Sequence, residues 1–327
     1  MNTKDQKVQI STFEKEVCEG LTTFPKYLSS KYFYDEIGDK LFQQIMALPE
    51  YYLTRAEYEI FETHRSEIVQ SFDANQEGFD LIELGAGDGK KTKVLLKELS
   101  DKGFDFTYVP IDISQNAVEG LVNDLANEMP GIGVNGEIGE YFEVLDRLKQ
   151  LSDRKKVIMV LGSNIGNLLH QRAIQFLKKL CNAMNPNDLV LMGFDQKKHP
   201  QKVLDAYNDK TGVTAAFNKN VLTRINKELN ANFDLDKFMH WETYDPESGT
   251  AKSYLVSTEK QTVDIDDLSL QVHFEAWESI HTEISQKYDD DIVKWLAEES
   301  GLEISKSFAD QNMDYKDYLL TKIKSVE

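Results

Sequence analysis

From about residue 79 to 194, short apolar runs alternate with stretches whose apolar residues recur at helical spacing. FDLIEL, FTYVPIDI, GIGVNGEI, KKVIMVLG and DLVLMGF read as buried strands. KKTKVLLKEL, SQNAVEGLVNDLANEM, YFEVLDRLKQL and LHQRAIQFLKKLCNAM read as the helices between them. Strand and helix in repeated alternation predict a parallel sheet with right-handed crossovers and helices on both faces.

Outside that stretch the pattern changes. Residues 1–59 look helical and carry an unusual aromatic load, with Tyr27, Tyr32, Phe33, Tyr34, Tyr51 and Tyr52. Two further helices are expected within 199–232. From about 250 to 287, KSYLVS, QTVDI, LSLQVHFEA and SIHTEISQKY alternate as strands of an antiparallel sheet. DIVKWLAEESG reads as a helix stopped by Gly301, and LEISKSFADQ with YKDYLLTKI as a closing strand pair that returns to the core. The expected fold class is α/β: a Rossmann-like core from 60–196 plus 288–327, with a discontinuous α+β substrate-binding domain from 1–59 plus 197–287.

Composition narrows the function classes. The chain has 327 residues, long for one domain, with 41% apolar and 28% charged residues, as in an ordinary globular protein. Its formal net charge of −19 sets up a field that repels phosphates, so no nucleic-acid partner is expected. Cys18 and Cys181 stand outside any CxxC pattern, and the six histidines show no ligand spacing, so neither a disulfide framework nor a metal is expected. The N-terminal residues lack an apolar signal region, and the run Val157 to Leu161 is too short to span a bilayer. A cytoplasmic protein without a membrane partner is the expectation.

The most informative local motif is Glu83-Leu84-Gly85-Ala86-Gly87-Asp88-Gly89, at the end of the first core strand. In open α/β sheets ligands sit at the carboxyl ends of strands, and glycines let a backbone approach them closely. The spacing is GxGxG rather than the dinucleotide GxGxxG, whose geometry seats a pyrophosphate on a helix N-terminus. S-adenosylmethionine has no phosphate, and the acidic Glu83 suits a methyltransferase loop. Asp112, ending the second strand, is placed to accept from both ribose hydroxyls. Glu140 follows the third strand, on the side where adenine would lie.

Motifs outside the glycine loop carry a resemblance. Tyr32-Phe33-Tyr34-Asp35-Glu36-Ile37-Gly38, Leu48-Pro49-Glu50-Tyr51-Tyr52-Leu53-Thr54-Arg55-Ala56-Glu57, Leu161-Gly162-Ser163-Asn164-Ile165-Gly166-Asn167, Ala206-Tyr207-Asn208, Phe217-Asn218-Lys219-Asn220 and Thr282-Glu283-Ile284-Ser285 occur in that order. From about Leu21 to the C-terminus the chain resembles the histidine-specific N-alpha-methyltransferases of ergothioneine biosynthesis. The resemblance implies trimethylation of the histidine α-amine to the betaine hercynine, with S-adenosylmethionine as donor and a small amino acid as partner. It implies a monomer. Asn167 and Tyr207 look like the groups on the substrate's carboxylate and amine, Tyr51 like a tyrosine beside the imidazole, and Tyr34 like the one near the methylated nitrogen. Glu283 and Ser285 look like the imidazole-recognising pair. The cofactor set is Glu83, Gly85, Ala86, Gly87, Lys91, Asp112, Glu140, Tyr141 and Gly162.

One departure concerns specificity. Ser253 aligns where the family places a methionine against the imidazole, which makes that wall smaller and more polar. An N-methyltransferase acting on another amino acid or small amine is therefore the nearest alternative. A non-catalytic S-adenosylmethionine-binding regulatory protein and a nicotinamide oxidoreductase are the others, the latter disfavoured by glycine spacing. Methyl transfer needs alignment, a deprotonated amine and shielding from water. Water and Tyr34 are the candidate proton acceptors, and tyrosine faces suit a quaternary ammonium product. Singly, each residue also fits an ordinary role: tyrosines as core aromatics, Asn167 as the cap of a helix from Leu168, Glu283 and Ser285 as an exposed strand pair.

Overall fold

The computed structural model describes residues 11–72, 77–151 and 154–324. In chain order it forms α1 (Thr12–Thr22), β1 (Lys26–Tyr27), α2 (Glu36–Ala47), α3 (Leu53–Phe72), β2 (Phe79–Leu84), α4 (Thr92–Asp101), β3 (Phe106–Asp112), α5 (Gln115–Glu128), β4 (Gly133–Val134), β5 (Glu137–Ile138), α6 (Tyr141–Leu151), β6 (Lys155–Val160), α7 (His170–Ala183) and β7 (Leu189–Asp195). It continues with α8 (Pro200–Tyr207), α9 (Val213–Glu228), β8 (Phe238–Asp245), β9 (Thr250–Ser257), β10 (Gln261–Ile265), β11 (Leu270–Phe274), β12 (Ser279–Gln286), α10 (Asp290–Glu298), β13 (Leu302–Ala309) and β14 (Tyr315–Lys322). Two compact units result, one of 1–52 with 199–285, the other of 53–198 with 286–327. Leu53 to Glu59, expected with the substrate-binding module, belong to the second unit because α3 is one continuous helix. Residues 1–10, part of the helical expectation for 1–59, lie outside the described residues, as do 325–327 of the expected core.

The unit of 53–198 and 286–327 is built on a sheet in the order β13-β14-β7-β6-β2-β3-β4, with β5 also paired to β3. Strands β4, β3, β2, β6 and β7 run parallel, whereas β14 is antiparallel to β7 and to β13. Every residue of β7 is buried, as are five of the six in β6, which is why both read as continuous apolar runs. Leu81, Val157, Ile158, Met159, Val190 and Leu191 are wholly inaccessible, each contributing roughly 1.5–3 kcal/mol by burial. The chain leaves β2 toward β3 on one side and returns to β6 on the other. That reversal makes the loops after β2 and β6 the topological switch point, where open α/β sheets bind ligands. This is the expected Rossmann-like core, closed by the β13–β14 pair that the C-terminal pattern predicted. The stretch GIGVNGEI, read as one strand, supplies two short ones, β4 and β5, because glycines at 131, 133 and 136 weaken continuous pairing.

The other unit holds a sheet in the order β1-β12-β9-β8 and a separate β10–β11 hairpin. Strands β8 and β9 pair antiparallel, with Glu242 opposite Ser253, and α8 and α9 pack against them. Thr282 Oγ1 donates to the Ser253 carbonyl at 2.9 Å, tying β12 to β9. The expected antiparallel strands of 250–287 are present but divide between two sheets. Sequence reading missed β8, whose alternation is blurred by the half-exposed Trp241 and a run of polar residues.

Candidate functional site

In the Rossmann-like unit the glycine loop leaves β2 at Gly85, whose N–H donates to the Ile111 carbonyl at 2.8 Å. Gly85 has φ of 74°, and a Cβ there would stand 2.8 Å from the Tyr141 hydroxyl, so both conformation and space call for glycine. Ala86 is buried beside it, and Gly87 also has positive φ. Burial, then the Asp112 and Glu140 carboxylates, push the Tyr141 phenol up to about 12. The end of β3, the start of α6 and the glycine loop thus bring Gly85, Asp112, Glu140 and Tyr141 together. Asp112 Oδ1 also accepts from the Ser114 N–H at 2.9 Å, so it shapes the start of α5 while its carboxylate faces Tyr141. A carboxylate at the second strand end and a glycine loop with open backbone match what the ribose and amino-acid ends of S-adenosylmethionine require.

Two members of the expected cofactor set are placed differently. Glu83 turns inward: one oxygen accepts from Thr92 Oγ1 at 2.8 Å and the other from the Tyr108 hydroxyl. With 3% of its surface accessible, it supports the loop from inside. Burial raises its carboxyl to about 7 against the lowering effect of those hydroxyls. Lys91 pairs with Glu57, a residue that sequence reading did not single out. Glu57 is wholly buried and also accepts the Gly162 N–H, at 2.9 Å and 3.0 Å to its two oxygens, and the Tyr315 hydroxyl at 3.0 Å. A Cβ at Gly193 would lie 2.3 Å from the Tyr315 hydroxyl and 2.4 Å from Glu57 Oε1, so only glycine leaves room for this group. The available signal was a carboxylate between aromatic neighbours, since Asp317 sits two residues after Tyr315 and directly before Tyr318 in a strand whose first six residues are all buried. Gly162, with φ of 73°, opens the turn after β6, and Asn167 ends a short 3-10 turn over Asn164–Asn167. Asn167 is exposed and does not cap the next helix, whose N-cap position is Leu169.

In the other unit, Asp35 caps α2, accepting from the Ile37 and Gly38 N–H groups at 3.1 Å and 2.8 Å. Asn220 of α9 donates to the same Asp35 oxygen at 2.8 Å and to the Phe33 carbonyl at 3.0 Å, which fixes the backbone around Tyr34. The Tyr34 ring meets Phe42 and Phe217 edge-on at 5.6 Å and 5.5 Å. Burial first, then Glu283, Asp39 and Tyr207, push the Tyr34 phenol upward, although 42% of the residue stays open to solvent and tempers the burial effect. That direction keeps Tyr34 protonated and removes it as a phenolate base.

Tyr51 packs edge-on to Tyr207 at 6.1 Å, and both are buried. Tyr207, the last residue of α8, meets Ser285 hydroxyl to hydroxyl at 2.8 Å. Its carbonyl, at the helix end, accepts from His240 Nε2 at 2.9 Å. Asn218 Nδ2 donates to the Tyr254 carbonyl at 3.1 Å and to His240 Nδ1 at 2.8 Å. Because a carbonyl accepts only, Asn218 must present its NH2 there, His240 Nδ1 must accept, and Nε2 carries the proton. Burial lowers the His240 pKa, which favours this neutral tautomer. Glu283 precedes Ser285 by two on β12. Ser253 is buried and donates to Glu242 Oε2 at 2.6 Å.

Among the described residues no helix is long and apolar enough to cross a membrane, and no group of three or more His, Cys, Asp or Glu side chains is arranged to hold a metal ion. A family of histidine-specific, SAM-dependent methyltransferases matches residues 13–322. The histidine N-alpha-methyltransferase of Mycolicibacterium smegmatis is 36% identical over 302 residues, covering 92% of each chain. That of Mycobacterium tuberculosis is 35% identical over 301 residues, again covering 92% of each. Ergothioneine biosynthesis protein 1 of Schizosaccharomyces pombe is 28% identical over 301 residues, covering 90% of this chain and 39% of its own. With a family match over residues 13–322 and two relatives at 36% and 35% identity over 92% of its length, the chain belongs to the histidine-specific, S-adenosylmethionine-dependent methyltransferases and is an N-methyltransferase.

Proposed function

We propose that this enzyme methylates the α-amino nitrogen of L-histidine and carries it through to the trimethylated betaine, hercynine. The observation that carries the substrate assignment is the Tyr207–Ser285 hydroxyl pair on one unit, with Glu283 two residues before Ser285 and near enough to Tyr34 to oppose its ionisation. A carboxylate accepts from an imidazole N–H, and a serine hydroxyl serves the second ring nitrogen as donor or acceptor. Two relatives named histidine N-alpha-methyltransferase, similar over nearly their whole length, support the same reading. When bound, S-adenosylmethionine supplies an electrophilic methyl group and its own leaving group. The protein's share is to hold the amine free of its proton and aligned. Tyr34 stays neutral, so the amine's proton leaves to water while the tyrosine hydroxyl orients the nitrogen. The Tyr34, Tyr51 and Tyr207 rings suit the growing positive charge of a methylated amine.

Titrating histidine and a panel of amino acids into protein saturated with S-adenosylhomocysteine reads binding without turnover. Saturable histidine binding that disappears in Glu283→Ala is the expected result, and mass spectrometry of the turnover product counts the methyl groups. No histidine binding beside a clear signal from another amino acid would move the substrate. That second reading rests on Ser253, whose hydroxyl and its partner Glu242 make a polar pair where the resembled family has methionine. The enzyme is further proposed to act as a cytoplasmic monomer on a free small molecule, with neither nucleic acid nor membrane as partner.

A further inference from the structure

Outside the residues that the sequence assigned to the cofactor, the Rossmann-like unit buries two carboxyl groups side by side. Glu57 comes from α3 and Asp317 from the middle of β14, directly opposite Gly193 in the strand register. Both are wholly inaccessible. Glu57 is fully engaged: Lys91 Nζ, the Gly162 N–H and the Tyr315 hydroxyl all donate to it. Asp317 is the opposite case. Among the described residues no N–H or hydroxyl donates to either of its oxygens, and its neighbour is the Glu57 carboxylate. An anion buried without a donor, beside a second anion, is among the costliest arrangements a protein interior can hold. Retaining a proton removes the conflict, because a neutral carboxyl sets no second charge against Glu57 and has a proton to turn toward it. Burial and then the charge of Glu57 push Asp317 well above the carboxylate range, in keeping with the geometry. Lys91 is raised: burial opposes its charge, and Glu57 outweighs that.

We propose that Glu57 is a positioning residue for donor binding, holding the Gly162 backbone and the Lys91 ammonium in place through a carboxylate that stays ionised because Asp317 keeps the proton the pair shares. This rests on the reading of Gly162 and Lys91 as cofactor contacts. The group is electrically balanced as Lys91 cation, Glu57 anion and neutral Asp317. One carboxylate thereby ties together α3, the loop after β2, the turn after β6 and β14. Gly193 is the residue that leaves space for it.

The test uses full-length wild type, Glu57→Gln and Asp317→Asn, with S-adenosylhomocysteine binding by calorimetry and infrared spectra of the carboxyl region. Spectra are read as differences between wild type and each variant at one pH, so that a proton on Glu83, common to all three proteins, cancels. Wild type is expected to show a protonated-carboxyl band that Asp317→Asn lacks. Asparagine reproduces a neutral donor of the same shape, so its affinity should fall by about 2-fold or less. Glu57→Gln removes the partner of Lys91 and should weaken binding by about 10- to 100-fold. It should also abolish the band, since Asp317 then ionises to pair with Lys91. The proposal is overturned if the band does not depend on Asp317, if Asp317→Asn weakens binding as much as Glu57→Gln, or if Glu57→Gln binds like wild type. Should Glu57→Gln fail to fold, the band and the affinity of Asp317→Asn against wild type decide it. Wild type that does not bind S-adenosylhomocysteine would instead sink the cofactor reading on which the inference rests.

Discussion

The hydroxyl of Tyr207 lies 2.8 Å from that of Ser285, joining the end of α8 to the end of β12 within one unit. Removing one hydroxyl leaves the other to find water and loosens the ring that packs on Tyr51. Tyr207→Phe is expected to weaken histidine binding by roughly 2- to 10-fold, the worth of one neutral hydrogen bond. Affinity for S-adenosylhomocysteine in the same titration should not change. Equal histidine affinity in mutant and wild type would remove Tyr207 from the substrate site.

His240 stands behind that tyrosine with both ring nitrogens engaged. Its pKa is lowered in the fold, so the unfolded chain takes up the proton first as pH falls. Stability from this residue is present above about pH 6.5 and is lost as pH drops from there toward the lowered folded value. Equilibrium unfolding against pH should show a shallower acid loss in His240→Gln than in wild type. Superimposable profiles would count against the neutral tautomer.

Asp112 shares its surroundings with Tyr141 and Glu140 at the end of β3. Asp112→Ala should weaken S-adenosylhomocysteine binding by about 10- to 100-fold, as expected when a charged acceptor of two hydroxyls is lost. Calorimetry measures this directly. A change below about 2-fold would return Asp112 to its local role at the start of α5.

Glu83 behaves oppositely to a surface carboxylate. Its folded pKa of about 7 exceeds the ordinary 4.5, so the folded state holds the proton more tightly than the unfolded chain. Its contribution is fully present below about pH 4.5 and is lost as pH rises through about 7. Glu83→Gln cannot ionise, so its stability relative to wild type should rise between those limits, by at most on the order of 3 kcal/mol. Urea unfolding at several pH values reads the difference, and a pH-independent offset would refute the assignment.

Gly193 faces Glu57 and Tyr315 with no room for a methyl group. Gly193→Ala should destabilise the protein by about 1–3 kcal/mol through overpacking. Denaturant unfolding gives the number. A wild-type midpoint would mean that α3 yields easily and that the buried carboxylate is not tightly held.

Much of this protein was legible along the chain because its two kinds of evidence are local. A strand buried on both faces must be apolar throughout, so β6 and β7 announced themselves, and the amphipathic α4, α5 and α7 followed from helical periodicity. Gly85 was readable for a related reason, since a turn with positive φ imposes a residue type at a fixed position. Strand β8 was missed where polar residues and an exposed tryptophan hid the alternation, and GIGVNGEI was overread because glycine permits a strand without sustaining one.

The remainder depended on partners far apart in sequence. Nothing near Glu83 says that its carboxylate faces Tyr108 and Thr92, or that Lys91 pairs with Glu57 and not with solvent. Asp317 comes opposite Gly193 only because β14 returns antiparallel to β7, and His240 meets Tyr207 only because α8 and α9 cover β8. The sequence by itself determined the parallel core and its glycine loop, because periodicity and turn chemistry act over a few residues. Only the tertiary structure decided which carboxyls are buried, which tautomer His240 adopts and which phenols burial pushes upward, because burial and hydrogen bonding are properties of three-dimensional neighbours.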